Sequence, residues 1–175
     1  MKFLKIVLYI CFFIAAVVAF LPKKNLYYFG EEQLAKFKVV IANEQVGEGL
    51  FSLDLEHADL YVEGIRAAKV MEASLGIYIV HNALEAHQIR LSGMAKNFLP
   101  TRIETLRISY NLWDPLAVRF VAEGEFGVAY GAVLLTKRKI IMTLQPSKTM
   151  LGKYRNLLRQ MKKAKNGEYS YEQSF

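Results

Sequence analysis

The chain has 175 residues, 53% of them hydrophobic and 13% aromatic, and a formal net charge of +7. About 150 residues follow an N-terminal apolar segment, which is enough for one domain with a substantial core. The only cysteine, Cys11, lies inside that segment. A disulfide or a cysteine-based metal site is therefore excluded from the rest of the chain.

The N-terminal apolar segment covers residues 3–21, with Lys5 as its only charge. Its uncharged part is about 16 residues long, whereas a membrane-crossing helix needs roughly 17–20. Including residues 3–5, with Lys5 reaching the headgroups, brings the segment into range and predicts a membrane anchor over 1–24. The competing interpretation is a signal peptide cleaved after Ala19. Both interpretations place residues 25–175 outside the cytoplasm as a single domain.

A short amphipathic helix is predicted next, over residues 31–37. Two glutamates suit its first turn, because the N-terminus of a helix favours negative charge, and Leu34 and Phe37 fall at helical spacing. One role for this helix is to cap the domain core. The alternative is that it lies at a bilayer surface beside the aromatic residues 27–29.

From residue 39 the hydrophobic period changes to two, which is typical of half-buried β-strands. Glycine pairs, Ser-Gly and Asp-Pro separate the runs as turns. The pattern predicts a mainly β domain with strands at 39–43, 51–56, 58–63, 65–72, 73–81, 84–91, 101–110, 116–124, 125–135, 138–144 and 168–175, and a loop at 93–100.

The three strands between residues 116 and 144 are predicted to form an antiparallel meander. The middle one is apolar on both faces, whereas antiparallel sheets usually leave one face wet. Either helices cover the second face or the sheet curves over on itself, as the glycines in these strands favour. The functional interpretation is an apolar groove on a curved sheet; the alternative is an ordinary core. The predicted groove residues are Phe126, Val128, Tyr130, Leu134, Ile140 and Met142.

A second amphipathic helix is predicted over residues 148–165, in the most basic part of the chain. Between residues 137 and 165 there are ten Lys or Arg and no Asp or Glu, whereas the rest has a net charge of −3. Such a patch suits anionic headgroups or an acidic partner. An exported chain with no nucleic-acid-binding signature is not expected to bind nucleic acid. The predicted anionic-surface contacts are Lys153, Arg155, Arg159, Lys162 and Lys163; the alternative is a solvated outer face.

No catalytic or cofactor motif is found. His57, His81 and His87 are not at metal-ligand spacing with other ligands, and no nucleophile elbow, phosphate loop or dinucleotide fingerprint occurs. Acidic residues are scattered one per strand. We therefore predict a non-enzymatic protein without a cofactor or metal, and an exported enzyme with an unrecognised site is the less favoured alternative.

Short motifs across most of the chain resemble the type II secretion system protein N family and, more distantly, AsmA-like membrane-anchored envelope proteins. They comprise the N-terminal apolar segment followed by Leu21-Pro22, a short helix leading into strands, GLFS at 49–52, GEFGVAYG at 124–131, LQPS at 144–147 and GEY at 167–169.

The resemblance implies a bacterial inner-membrane protein with a single span and a β-rich periplasmic domain, accessory to a protein secretion assembly and without enzymatic activity. Its partners would be other envelope or secretion proteins. The alternative is a lipid-binding or lipid-transfer component, because AsmA-like proteins and lipopolysaccharide-export bridge proteins also join an anchor to an apolar curved sheet.

Overall fold

The computed structural model describes residues 2–78, 80–93 and 99–175. It has a mainly β architecture, in which two N-terminal helices precede one large open antiparallel sheet. Most of the predicted loop at 93–100 lies outside the described residues.

Helix α1 (Lys2–Ala19) and helix α2 (Lys23–Lys36) meet at a bend of 61°. Within the described residues neither helix alone has the length and hydropathy of a membrane span, and the pair meets that criterion only when taken together across the bend. The predicted helix at 31–37 is the C-terminal half of α2. The helix starts earlier because Pro22 precedes it, and proline is tolerated at the start of a helix, where no backbone donor is needed.

Lys23 fixes the junction between the two helices. Its side chain is buried, at 2% exposure, and its ammonium group donates hydrogen bonds to the carbonyl oxygens of Ala19 (3.2 Å) and Leu21 (3.3 Å). Ala19 is the last residue of α1, where a cation is favourable, and Leu21 lies in the link between the two helices. The Lys23 backbone N–H donates to Glu48 Oε1 at 2.9 Å. Since Pro22 has no side-chain acceptor, Glu48 caps α2 from the sheet.

Among the described residues the sheet has eleven strands in the order β1-β3-β4-β5-β6-β7-β8-β9-β11-β10, with β2 also paired to β3. Every pairing is antiparallel. The strands are β1 (Val39–Ala42), β2 (Gln45–Glu48), β3 (Ser52–Val62), β4 (Ile65–Ile77), β5 (His81–Leu91), β6 (Arg102–Asn111), β7 (Ala117–Gly124), β8 (Gly127–Leu134), β9 (Lys139–Pro146), β10 (Lys162–Lys163) and β11 (Tyr169–Ser174).

The first long strands are longer than predicted. The predicted strands at 51–56 and 58–63 are one strand, β3, and the one at 65–72 continues without a break into the first part of the one at 73–81 as β4, which ends at Ile77. The last residue of that prediction, His81, begins β5 instead. The glycine-rich segment at 47–49, predicted as a turn, lies partly in β2. Because β3 has 11 residues, β1 and β2 both pair with the edge of β3 that is opposite to β4.

The predicted helix at 148–165 is wrong. Two short helices, α3 (Lys148–Lys153) and α4 (Arg155–Leu158), are followed by strand β10, which pairs with β11. The break falls at Tyr154, whose backbone (φ −113°, ψ 28°) lies outside the helical region, two residues after Gly152, which weakens a helix. Downstream, Gly167 has φ 86°, a conformation that glycine adopts without strain and that suits the turn between β10 and β11.

The start of α3 is well defined. Ser147 is the N-cap, and its hydroxyl oxygen accepts a hydrogen bond from the Met150 backbone N–H at 3.1 Å. The same hydroxyl donates to the Glu125 carbonyl oxygen, which lies between β7 and β8. These bonds direct α3 and α4 back over the sheet, so that Met150, Tyr154 and Leu158 are buried against it.

Candidate functional site

One face of the sheet, the inner face, carries two uninterrupted rows of nonpolar residues. Side chains of directly paired residues lie on the same face, so the register of each strand pair extends the row by one residue. We call these two rows the apolar track. The first row contains Leu55, Ala73, Ala86, Leu106, Ala122, Ala129, Leu144 and Tyr169, and the second contains Leu53, Leu75, Leu84, Ile108, Phe120, Gly131, Met142 and Tyr171.

The apolar track crosses eight strands at right angles to their direction. With neighbouring strands about 4.8 Å apart, it is roughly 34 Å long. An acyl chain reaches across half of a hydrocarbon core of roughly 30 Å. The track is therefore long enough to hold one extended acyl chain within its length.

The opposite, outer face is polar at most of the same positions along the strands, with Val121, Val128 and Tyr130 in β7 and β8 as exceptions. The Ser74 hydroxyl donates to Asp54 Oδ1 at 2.6 Å, and Glu85 and Arg107 form an ion pair at 2.7 Å. Near the C-terminal end, Glu168 accepts hydrogen bonds from Gln145, Asn166 and Tyr130. The bonds from Gln145 and then Asn166 lower the pKa of the Glu168 carboxyl, because they favour its charged form. The two faces therefore differ in chemistry: among the described residues the two inner rows are apolar across all eight strands, whereas the outer face alternates between polar and apolar side chains.

Helices α3 and α4 cover the C-terminal end of the track. Met150, Tyr154 and Leu158 form a buried cluster with Ala129 and Leu144, both in the first row. The partly buried side chains packed against the cluster are Phe126, Met142, Leu157, Met161 and Tyr169. This end of the first row is consequently a packed core.

Helix α2 lies over the other end of the track and packs less closely. A cleft of about 460 Å³ remains between the helix and the sheet. Its lining residues are mostly apolar: Lys23, Leu26, Tyr27, Gly30, Glu31, Gln33, Leu34, Phe37, Ile41, Leu75 and Ile77. Leu75 belongs to the track, so this cleft opens directly onto the second row, next to the junction with α1.

The middle of the track lies between these two helical covers. The principal helix contacts with the sheet are those of α2 with β1, β2 and β3 and of α3 with β9. Leu84, Ile108 and Phe120, from β5, β6 and β7, are only partly buried. At Gly131 a β-carbon would lie 2.8 Å from the Phe120 Cζ atom and 2.1 Å from the Ile141 carbonyl oxygen. The absence of a side chain there lets the Phe120 ring lie across the neighbouring strand.

Backbone irregularities bend the sheet beside the track. His57 in β3 and Gln88 in β5 have positive φ values of 59° and 51°, and the β6–β7 register shifts between Ile103 and Thr105. Consequently Ala86 and Ile89 both lie buried on the inner face, while His87 and Gln88 between them are exposed. Such bulges bend strands and increase twist.

A second buried cluster forms at this bend without a helix. It consists of Ala68, Ala86 and Ile89. The partly buried residues around it are Leu60, Val70, Ala73, Leu91, Ile103 and Leu106, all from β3 to β6. In this part of the sheet the buried residues are covered by neighbouring side chains of the same face. Over β8, helices α3 and α4 cover the inner face at Ala129, which is one of the two arrangements that the sequence left open, whereas Tyr130 on the outer face of the same strand is 37% exposed.

The predicted groove residues do not form one surface. Val128, Tyr130 and Leu134 lie on the outer face, whereas Ile140 and Met142 lie on the inner face, and Phe126 packs against the cluster under α3 and α4. Gly131 pairs with Met142, so even-numbered residues of β8 share a face with odd-numbered residues of β9. The prediction grouped even positions of both strands, and an error of one residue in register moves a side chain to the other face.

The predicted basic contacts are brought together in part. Arg155, Arg159 and Lys163 line a hollow of about 450 Å³, which we call the basic hollow. Its other lining residues are Leu151, Leu158, Met161 and Tyr169. The Lys153 ammonium lies 5.1 Å from the centroid of the Tyr154 ring and does not line the hollow. Lys162 pairs with Ser170 and therefore lies on the outer face. The signal for the hollow was the basic segment itself, but the break at Tyr154 determines which of its cations meet.

Comparison of the chain with protein-family models, curated proteins and solved structures finds no match. In the ranges 2–78, 80–93 and 99–175, no group of three or more His, Cys, Asp or Glu is placed to hold a metal ion. The features that carry a functional argument are therefore the apolar track, the cleft under α2 and the basic hollow.

Proposed function

We propose that this protein binds the acyl chains of a lipid along the apolar track, as a lipid-binding or lipid-transfer component of a bacterial cell envelope. In this proposal α1 holds the protein at the inner membrane, and the sheet lies in the periplasm. In this proposal the lipid is bound non-covalently, and no catalytic group is involved.

The observation that carries the proposal is the continuity of the track. Burying apolar surface contributes about 25 cal/mol per Å², so an uncovered strip of Leu, Ile and Phe side chains favours an apolar occupant. An acyl chain fits because the track is long and narrow and has no hydrogen-bonding groups in its two rows apart from the terminal tyrosines, Tyr169 and Tyr171.

Helix α1 supports attachment to a bilayer. Its large aromatic and aliphatic side chains between Leu4 and Val17 are exposed, with Phe12 at 74% and Leu4 at 73%. Large exposed apolar patches mark membrane or protein contacts. The cleft under α2 begins at Lys23, immediately after α1, so an acyl chain that leaves the bilayer beside α1 would meet the open end of the track.

Site-specific photocrosslinking tests the proposal on the full chain in its native membrane. Benzoylphenylalanine replaces Phe120 on the inner face or Val121 on the outer face of the same strand. After irradiation, lipid adducts are measured by mass spectrometry of the protein. We expect lipid adducts at position 120 and at most a tenth as many at position 121.

The Val121 variant is the matched control because it lies one residue away and is accessible, at 42% exposure. Equal adduct yields at both positions, or protein adducts alone at position 120, would contradict acyl-chain binding on the inner face.

A second candidate is the structural role in a secretion assembly that the family resemblance implies. The observation in its favour is the edge of β11 that points away from β9. In the described part of the chain, no strand pairs with this edge after Ser170. An unpaired edge can accept a strand from a partner. Crosslinks from Glu172 to another envelope protein, together with no lipid at position 120, would favour this role over the first.

A further inference from the structure

We propose that the basic hollow holds the phosphate-bearing headgroup of an anionic lipid whose acyl chain occupies the apolar track. This inference rests on the proposed function and adds the chemical class of the ligand and the end at which its headgroup lies.

The hollow continues the track. Leu144 pairs with Tyr169, and Tyr169 pairs with Lys163, so Lys163 is the next inner-face residue after the last member of the first row. Tyr169 itself lines the hollow. A ligand can thus contact the cation and the end of the apolar row at the same time.

The path between the open middle of the track and the hollow follows the second row. The first row is filled at this end by the cluster of Tyr154 and Leu158 against the sheet. The second row passes beside it through Gly131, Met142 and Tyr171, none of which is fully buried. Tyr171 is two residues from Tyr169 on the same strand and therefore lies on the same face.

The charge of the hollow is uncompensated. None of the four ion pairs formed by the described residues includes Arg155, Arg159 or Lys163. The Lys163 ammonium is 6.0 Å from the centroid of the Tyr169 ring, a cation–π contact that leaves its charge in place. The closest acidic residue along the chain, Glu168, is bonded to Gln145, Asn166 and Tyr130 on the outer face.

The lining selects an amphiphile. Arginine side chains bind phosphate oxygens through two parallel hydrogen bonds, and lysine adds a point charge. Leu151, Leu158, Met161 and Tyr169 provide apolar walls between the cations. A fully hydrophilic anion would leave these apolar side chains in contact with water, whereas a lipid headgroup followed by its first methylene groups would cover them.

Competitive binding to the full chain in neutral detergent micelles tests this assignment. The probes are phosphatidylglycerol and phosphatidylcholine with identical acyl chains, quantified as bound lipid by native mass spectrometry. We expect the wild-type chain to prefer phosphatidylglycerol. The triple variant R155Q/R159Q/K163Q should lose that preference by about tenfold or more, because its hollow no longer carries the charges that favour an anionic headgroup. Its affinity for phosphatidylcholine, whose headgroup has no net charge, should fall much less than its affinity for phosphatidylglycerol.

The matched control is K148Q/K153Q/K162Q, which removes the same charge from the same segment but from residues outside the hollow. An equal loss of preference in both triple variants would replace the headgroup site by a diffuse basic surface and overturn the proposal. Thermal unfolding of each variant verifies that the fold is kept, as expected for substitutions at exposed positions.

The remaining outcomes separate the two proposals. Binding of both lipids without preference would overturn the headgroup site and leave acyl-chain binding standing. Binding of neither lipid would overturn the proposed function itself. Inorganic phosphate that occupies the hollow and displaces phosphatidylglycerol at equal concentration would show that a free anion, not a lipid, is the ligand.

Discussion

The two ends of the apolar track are covered by helices in different ways. At the C-terminal end α3 and α4 bury three large side chains against Ala129 and Leu144. At the other end α2 leaves a cleft of about 460 Å³ and is attached to the sheet through Glu48. The same apolar rows therefore end in a packed core beside cations on one side and in an open space beside α1 on the other. The difference gives the track a direction, from an open end to a closed and charged one.

The closed end should tolerate substitution least. Leu158 is buried at 3% exposure in the cluster with Tyr154. Changing Leu158→Ala removes packed methyl groups and leaves a cavity, so we expect a loss of about 2–5 kcal/mol in the free energy of unfolding. Urea denaturation followed by circular dichroism measures it. Leu151→Ala is the control, since Leu151 is 41% exposed; a similar loss there would mean that α3 and α4 do not form a closed lid.

The middle of the track depends on a missing side chain. A β-carbon at Gly131 would lie 2.1 Å from the Ile141 carbonyl oxygen, so Gly131→Ala forces a backbone shift that costs about 1–3 kcal/mol. Gly152→Ala in α3, where a β-carbon meets nothing within 4 Å, should instead stabilise by about 0.5–1 kcal/mol. Thermal unfolding compares the two. Equal and small effects would show that the sheet is not closely packed at Gly131.

The open end should respond to Glu48. Changing Glu48→Gln removes the negative charge that caps α2 and leaves a weaker acceptor, so we expect a loss of about 0.5–1 kcal/mol. Hydrogen exchange of the first-turn amides of α2 reports the change locally, and these amides should exchange faster. The control is Glu63→Gln, whose ion pair with Lys38 is exposed at 3.4 Å and should matter little. Unchanged hydrogen exchange in the first turn of α2 would contradict the stabilisation of this helix by Glu48.

Alternation of residue type was sufficient to predict a mainly β domain and most strand positions, because half-buried strands require it. It was insufficient for the faces. His57 and Gln88 adopt positive φ although neither is glycine. Beside each of them the alternation of inner-face and outer-face side chains is interrupted, and no local sequence signal marks this interruption. The pairing of Gly131 with Met142 depends on the length of the β8–β9 connection, which the prediction did not use.

The helical elements show a related limit. Apolar spacing over 148–165 was consistent with one helix, but the segment folds into α3, α4 and β10 because the turn at Gly167 pairs β10 with β11. Tertiary pairing overrides local periodicity here. The prediction of a basic surface did not depend on the helix, since three of the five predicted cations lie together in the hollow.

The buried Lys23 connects α1, α2 and the sheet at the bend between the two helices. Its ammonium group donates to the carbonyl oxygens of Ala19, the last residue of α1, and of Leu21 in the link, while its backbone N–H donates to Glu48 of β2. The two helices and the sheet are therefore connected through one residue. Helix α2, with 14 residues, is about 21 Å long at 1.5 Å per residue. With α1 in a bilayer, as proposed, this connection would determine both the distance of the open end of the track from the lipid surface and the tilt at which it faces that surface.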